Sequence, residues 1–193
     1  MKIGTKSVLF GYHAFWLHPF LVAEGWRRLY GFPFDPRLWA AFFLHDIGYL
    51  GKPNMDGKEG EAHPEMGAKV MHFLFDEYDP YPFHHWCVAF ISINKWRDLC
   101  LFHSRCYAAK ARKPISKLCY ADKLAFMLYP KWLLKILYAL TGEWEEYKTH
   151  EYKTDDPAIC YMGNGGYADF DEWYHVAWLR NSEMLKKGGF PCL

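Results

Sequence analysis

Apolar residues recur at helical spacing along most of the chain, and no stretch before residue 142 shows the strict alternation that is typical of a half-buried strand. We therefore predict an all-α fold. The predicted helices cover residues 12–30, 36–46, 63–76, 83–109, 116–129, 131–140 and 170–187, with one short helical turn at 143–147. Residues 1–11 are predicted to be a short, loose lead-in. Proline and glycine separate most of these helices, and Asp35 followed by Pro36 is typical of a helix start.

Composition changes after residue 142, where two glycine- and aspartate-rich stretches interrupt the helical pattern. We predict one helical domain over residues 1–142 and a partly helical extension over residues 143–193 that packs on this core. Residues 51–62 are polar and rich in glycine. They are predicted to form a loop, which could line the mouth of a site or simply connect two helices in solvent.

One predicted helix ends in a histidine followed directly by an aspartate, His45 and Asp46, after an apolar run. An imidazole and a carboxylate are costly to bury side by side unless they share a partner, and a metal ion is such a partner. Four more candidate ligands lie in predicted helices or at their ends: His18, His63, His103 and Asp122. Any one of these histidines alone would more often be a packed or capping residue than a ligand.

The order His18, His45-Asp46, Asp122 resembles the HD superfamily of metal-dependent phosphohydrolases. With His63 and His103 included, the chain resembles the branch that contains the cyclic-di-GMP phosphodiesterases and the HD-type di-iron oxygenases. The segments 45–48 (HDIG) and 63–67 (HPEMG) read like those of the phosphodiesterases. The chain departs from them after His103, where the His-Glu pair and the Gly-Tyr-Pro loop are missing. The resemblance covers roughly residues 12–135 and implies an HD-domain helical bundle.

The resemblance also implies two metal ions in each chain. Asp46 would bridge them; His18, His45 and Asp122 would hold the first ion, and His63 and His103 the second. Histidine and carboxylate ligands suit divalent Fe, Mn, Co, Ni or Zn, with Mg²⁺ as a further candidate. A metal-activated water would then hydrolyse a nucleotide or other small phosphate ester, with His45, Asp46 and Arg105 as the catalytic residues.

Two alternative functions use the same ligands. A di-iron oxygenase would activate O₂ at this site, and a catalytically silent metal-binding module would use its aromatic tail to recruit a partner. Ligand assignment is also open at two places. His13 is the alternative to His18, or a residue on the substrate side, and His84 or His85 could compete as a ligand.

A phosphate substrate needs cationic side chains around it. Arg105 follows His103 by two residues and is the best-placed candidate, and Lys52, Lys117 and Lys123 are further candidates for substrate binding. Each of them could instead be a solvated or salt-bridged surface charge.

The overall charge gives no reason to expect a polyanionic partner. The 193 residues include 23 basic and 22 acidic side chains, a net charge of +1, so we expect neither direct nucleic-acid binding nor attraction to a membrane. The six cysteines contain no CxxC pair, which favours reduced thiols. Without a membrane-spanning run or a secretory signal, we predict a cytoplasmic enzyme with a small-molecule phosphate substrate. The extension over residues 143–193 could either cover the active site or make the contact of a homodimer.

Overall fold

The computed structural model describes residues 1–55, 57–76, 94–149 and 167–190. These residues form α-helices and one short 3₁₀ turn, with no strand among them, which confirms the predicted all-α fold. The helices are α1 (Ile3–Phe10), α2 (His18–Tyr30), α3 (Pro36–Leu44), α4 (Gly57–Glu61), α5 (Pro64–Phe75), α6 (Lys95–Leu101), α7 (Arg105–Lys110), α8 (Lys117–Leu128), α9 (Lys131–Thr141), α10 (Glu143–Thr149) and α11 (Phe170–Lys187). The 3₁₀ turn, Ile47–Tyr49, follows α3.

Side-chain caps fix the starts of three helices. The carboxylate of Asp35 accepts a hydrogen bond from the backbone N–H of Arg37 at the start of α3, 3.0 Å away. Ser116 caps α8 and Asp169 caps α11 in the same manner. Because such caps satisfy amide groups that have no partner inside the helix, they define where each helix begins.

Several of the predicted boundaries are wrong, and the predicted loop over residues 51–62 contains the short helix α4 (Gly57–Glu61). Residues 3–10 form α1 rather than a loose lead-in, and the next helix begins at His18 instead of residue 12. Pro19 lies in the first turn of α2, where its missing N–H costs nothing. The predicted helix 83–109 is interrupted between α6 and α7, where the carbonyl oxygen of Phe102 accepts a hydrogen bond from the N–H of Ser116 instead of continuing the helix. Residues 83–93 of that prediction lie outside the described residues.

The described part of the fold has three groups of buried apolar side chains, two large ones and a small one that consists of Val8, Tyr49 and Met55. The first is centred on α2, α3, α5 and α8 and includes Val22, Phe42, Met71 and Leu118. Within it α2 and α8 pack so closely that a Cβ on Gly25 would come within 2.5 Å of the carbonyl oxygen of Ala121. This close approach brings the start of α2 near the middle of α8, where two of the predicted ligands lie.

The second group is mainly aromatic and extends from the start of the chain to α11. It contains Tyr12, Phe126, Tyr129, Leu134, Leu137, Tyr138, Tyr147, Phe170 and Trp173. The hydroxyl of Tyr129 donates a hydrogen bond to the carbonyl oxygen of Tyr12, 2.8 Å away. Helix α11 therefore packs on the same core as α8 and α9, although the division of the chain at residue 142 stays a prediction.

None of the described helices alone is both long and apolar enough to cross a membrane. In the part of the chain that the structure describes, α8 and α9 reach that length and composition when taken together, but they are bent by 102° relative to each other.

Candidate metal centre

All six predicted ligands come together in the fold, and each is held near the end of a helix or on a buried helix face. His18 is the first residue of α2, His45 directly follows α3, and Asp46 is the next residue. His63 immediately precedes α5, His103 lies between α6 and α7, and Asp122 is in the buried part of α8. Residues at helix ends can hold a metal ligand, because their side chains can point into the site without breaking the backbone hydrogen bonds of the helix.

The six side chains form two groups that share Asp46. In the first group, Nε2 of His45 lies 3.1 Å and Nε2 of His18 lies 3.4 Å from Oδ2 of Asp46. His18 Nε2 is also 3.2 Å from Oδ1 of Asp122. These four residues could hold one metal ion.

The second group lies against the other oxygen of Asp46. Nε2 of His63 and Nε2 of His103 are each 3.4 Å from Oδ1 of Asp46, and the two nitrogens are 3.0 Å apart. Two ligands that each lie about 2.1 Å from one ion, at octahedral or tetrahedral angles, are roughly 3.0 to 3.4 Å from each other. The six separations given above have this spacing, and all ligand atoms of each group lie within 4.8 Å of one another.

Backbone carbonyl groups fix the orientation of three of the four histidines. Nδ1 of His45 lies 2.9 Å from the carbonyl oxygen of Phe42, Nδ1 of His63 lies 2.7 Å from that of Gly60, and Nδ1 of His103 lies 2.5 Å from that of Cys100. A carbonyl oxygen can only accept, so each Nδ1 carries the proton. In the neutral ring each Nε2 then presents a lone pair to the centre, as a metal-ligating histidine does.

These lone pairs face negative or electron-rich atoms at short range. The Nε2 atoms of His63 and His103 face each other, and burial is the main reason why the pKa of His63 lies well below its usual 6.5. Nε2 of His45 and both ring nitrogens of His18 are buried without hydrogen-bond geometry to any partner. Such an arrangement is costly unless a cation lies among the atoms, so the donor set fits metal ions.

The two aspartates are ionised in this environment. Burial opposes ionisation of Asp46, but the electrostatic effect of the surrounding histidines, with that of His45 the largest, outweighs burial, so the pKa of Asp46 lies well below 3.8. Burial likewise opposes ionisation of Asp122, and the adjacent Lys123 and His18 lower its pKa well below 3.8. Two buried carboxylates kept negative are suitable ligands for divalent ions.

A cavity opens beside the two groups. Its lining includes Asp46, His63, His103 and Asp122, and it also includes Arg105 and Lys123. Nζ of Lys123 lies 2.8 Å from Oδ2 of Asp122.

Two of the four predicted substrate-binding cations therefore reach the site, and the other two do not. Among the described residues, Lys52 and Lys117 do not line this cavity. Nζ of Lys117 lies 5.0 Å from the centre of the Tyr30 ring, and Lys52 lies beside Gly4 in α1.

His13 and His18, the two alternatives for one ligand, lie at different positions in the site. His18 belongs to the ligand group, whereas His13 lines the cavity with its Nε2 3.9 Å from Oδ2 of Asp46. Nδ1 of His13 lies 2.9 Å from the hydroxyl oxygen of Ser7. Burial lowers the pKa of His13 to about 3, so this ring is neutral. His84 and His85 lie outside the described residues.

The sequence left open whether the extension covers the active site or makes a dimer contact, and it did not identify the residues of α11 that line the cavity. Trp173, Ala177, Arg180 and Asn181 line it together with aromatic residues of the second apolar group. The spacing of these four residues places them on one helix face, and this spacing was a usable signal. Nothing in the local sequence, however, indicated that the face would lie against the metal ligands.

Family models, curated proteins and solved structures, when compared with this chain, give no match. The structure itself shows an all-α fold with two buried histidine and aspartate groups that could bind metal, and this arrangement is compatible with an HD-type site.

Proposed function

We propose that the protein is an HD-type metal-dependent phosphohydrolase, which hydrolyses a nucleotide or another small phosphate ester at a binuclear site. The observation that carries the proposal is the position of Asp46, whose two carboxylate oxygens face two different groups of ligands. A carboxylate in this position can bridge two ions. Paired ions of this kind stabilise both the attacking and the leaving oxygen of a phosphoryl transfer.

The residues divide naturally between the two ions. His18, His45 and Asp122 would hold the first ion, His63 and His103 the second, and Asp46 both. The mixture of imidazole and carboxylate favours Fe, Mn, Co, Ni or Zn, with Mg²⁺ as a further candidate. When bound, the metal ions would polarise the phosphoryl group and lower the pKa of a water molecule that attacks it.

The other residues of the cavity would bind and orient the substrate. Arg105 is the first residue of α7 and lines the cavity, where its planar guanidinium suits bidentate binding of a phosphate group. Lys123 supplies a second positive charge beside Asp122. The Ser7 hydroxyl holds the His13 ring by its Nδ1, so that Nε2 is directed toward the cavity and Asp46.

The test is a screen of the purified full chain for metal-dependent phosphate release. Metal is removed with a chelator, and Mn²⁺, Fe²⁺, Co²⁺, Ni²⁺, Zn²⁺ or Mg²⁺ is then added before assay on nucleotides and on simple phosphate esters. We expect one of these ions to restore hydrolysis and Asp46→Asn to reduce it at least 100-fold. Asp171→Asn, the same change at an exposed carboxylate of α11, is the matched control and keeps full activity.

Three other outcomes contradict the proposal. Full hydrolysis by the Asp46→Asn variant would mean that phosphate release does not depend on this site. Two bound irons with O₂ consumption and no phosphate release would indicate an oxygenase. Bound metal without either reaction would indicate a catalytically silent metal-binding module.

A further inference from the structure

One face of α11 lies along the cavity that contains the metal ligands. Trp173, Ala177, Arg180 and Asn181 occupy relative positions 0, 4, 7 and 8 of the helix, and all four line the cavity. Positions with this spacing lie on the same side of an α-helix. The face therefore runs from an aromatic ring, past a small side chain, to a pair of polar side chains.

The aromatic end of this face belongs to a larger surface, here called the aromatic wall: Tyr12, Phe126, Tyr138, Tyr147 and Trp173. The ring centre of Trp173 lies 5.1 Å from that of Tyr138, 5.3 Å from that of Tyr147 and 5.9 Å from that of Phe126. All five members line the cavity, and each is buried. Since the rings hold one another in place, the wall is preorganised and loses little entropy when a ligand packs against it.

The polar end of the face lies some 10 Å further along the helix axis, because seven residues separate Trp173 from Arg180. Arg180 offers only hydrogen-bond donors, whereas Asn181 offers both donors and an acceptor. Ala177 lies between the two ends and leaves space that a larger side chain would fill. A flat group on the aromatic wall could thus have its polar edge recognised by Arg180 and Asn181.

These features differ from what a small sugar or glycerol phosphate needs. For such a ligand the metal ions, Arg105 and Lys123 would be sufficient, and a wall of five aromatic rings would contribute little. A nitrogen heterocycle combines a planar face with acceptor and donor atoms at its edge. Stacking of a base on an aromatic side chain is worth about 1 to 3 kcal/mol.

We infer that α11 and the aromatic wall form a binding site for a nucleobase, so that the substrate is a nucleoside phosphate and Arg180 and Asn181 determine its specificity. The phosphate half of this inference rests on the proposed function, whereas the nucleobase half does not. The phosphate would bind at the metal ligands, Arg105 and Lys123, and the base would lie against the wall. The extension would then be part of the active site.

Binding of nucleosides, which carry no phosphate, tests the base site independently of catalysis. Adenosine, guanosine, cytidine and uridine are titrated by calorimetry into the metal-loaded full chain. We expect at least one of them to bind, and we expect Ala177→Phe to weaken its binding at least tenfold because the new ring fills the space between Trp173 and Arg180. Asn181→Ala should weaken it about fivefold. Glu183→Ala, at an exposed position of the same helix, should have no effect.

A metal analysis of the same variants shows whether the fold is intact. Ala177→Phe and Asn181→Ala should both retain the two ions of the unaltered protein. If Ala177→Phe loses its metal, Asn181→Ala decides alone, because its smaller side chain fits without any rearrangement. Failure of all four nucleosides to bind overturns the inference, as does unchanged binding by a correctly metallated Asn181→Ala variant.

Activity measurements separate failure of this inference from failure of the proposed function. The kcat/KM for the matching nucleoside monophosphate should exceed that for glycerol 3-phosphate at least 30-fold, and Ala177→Phe should remove most of this preference. Equal hydrolysis of both esters leaves the phosphohydrolase in place and rejects the base site. Nucleoside binding that is blocked by Ala177→Phe, without hydrolysis of any ester, supports the base site and rejects the phosphohydrolase.

Discussion

Gly67 touches the backbone of Leu44: a methyl group on its Cα would overlap the carbonyl oxygen of Leu44 and would come within 3.2 Å of the Cα of His45. Helix α5 thus approaches the end of α3 more closely than any side chain allows. His63 directly precedes α5, so this contact determines how close His63 lies to the His45-Asp46 pair. The spacing between the two ligand groups therefore depends on the lack of a side chain at Gly67.

A Gly67→Ala variant should therefore be destabilised and should lose the second ion preferentially. Overpacking of a core typically costs about 1 to 3 kcal/mol, and here the added methyl meets backbone that cannot rotate away, so we expect the upper part of that range. Urea denaturation gives the change in the free energy of unfolding, and metal analysis gives the lost ion. Lys69→Ala, on the exposed side of the same helix, is the control. A stable variant with both ions would show that α5 can shift without affecting the site.

Substitution of single ligands should distinguish the two ions. Asp46→Asn removes the charge of the residue that faces both groups, so we expect at most a trace of bound metal. His63→Ala removes a ligand of the second group only and should leave about one ion per chain. Quantitative elemental analysis after gel filtration measures both. His175→Ala, at an exposed position of α11, should retain two ions. An equal loss in the His63 and Asp46 variants would argue for one shared ion.

Removal of metal should lower the thermal stability of the unaltered protein. The facing lone pairs of His63 and His103 and the buried nitrogens of His18 favour a state in which cations are bound. A ligand at 100 times its Kd stabilises the folded state by about 2.7 kcal/mol. Calorimetric scans at increasing free metal concentration should therefore show a rising Tm. A Tm that does not respond to chelator or to added metal would exclude a structural contribution of metal at this site.

Buried Glu143 should make stability depend on pH in the neutral range. Burial raises the pKa of Glu143 from 4.5 to about 7, although hydrogen bonds from Ser7 and Thr141 partly oppose this shift. Between these two values the folded protein keeps the proton and the unfolded chain does not. The contribution is fully present below pH 4.5 and is lost as the pH rises through 7, with a total on the order of 3 kcal/mol.

The difference between the unaltered protein and Glu143→Gln isolates this contribution. Urea denaturation from about pH 5 to about pH 8 should show a steeper fall in stability for the unaltered protein, because glutamine has no proton to lose. Asp171→Asn is the control at an exposed carboxylate. Parallel curves for the unaltered protein and Glu143→Gln would mean that Glu143 titrates as an ordinary carboxyl.

Polar and ionisable residues that interrupt an apolar helical pattern can be identified from the sequence. His45, Asp46 and Asp122 interrupt apolar helical runs, and the cost of burying them is enough to predict a shared partner. The helix starts at Asp35 and Ser116 are readable for a similar reason, because a cap acts on amides two or three residues away. Local chemistry is sufficient in each case.

Features that depend on distant contacts could not be predicted. The interruption around His103 exists because Phe102 bonds to Ser116, which caps the next helix. Helix α1 is short and has no polar cap, so only its packing against α9 and the 3₁₀ turn explains it. The position of Arg180 on the cavity depends on how α11 packs against α8, which no periodicity in α11 alone could reveal.

Tyr12 has a further consequence for how such a protein can change. Its ring centre lies 4.8 Å from that of His18 and 5.9 Å from that of Tyr138, which in turn lies against Trp173. His18, which would hold the first ion, and the surface proposed to select the substrate are thus parts of one packed unit. Substitution of these aromatic residues during evolution toward a new substrate would therefore also change the affinity of the site for metal ions. Substitutions at Arg180 and Asn181 would not alter this packing. We therefore expect proteins that evolve from this one toward new substrates to differ first at these two residues.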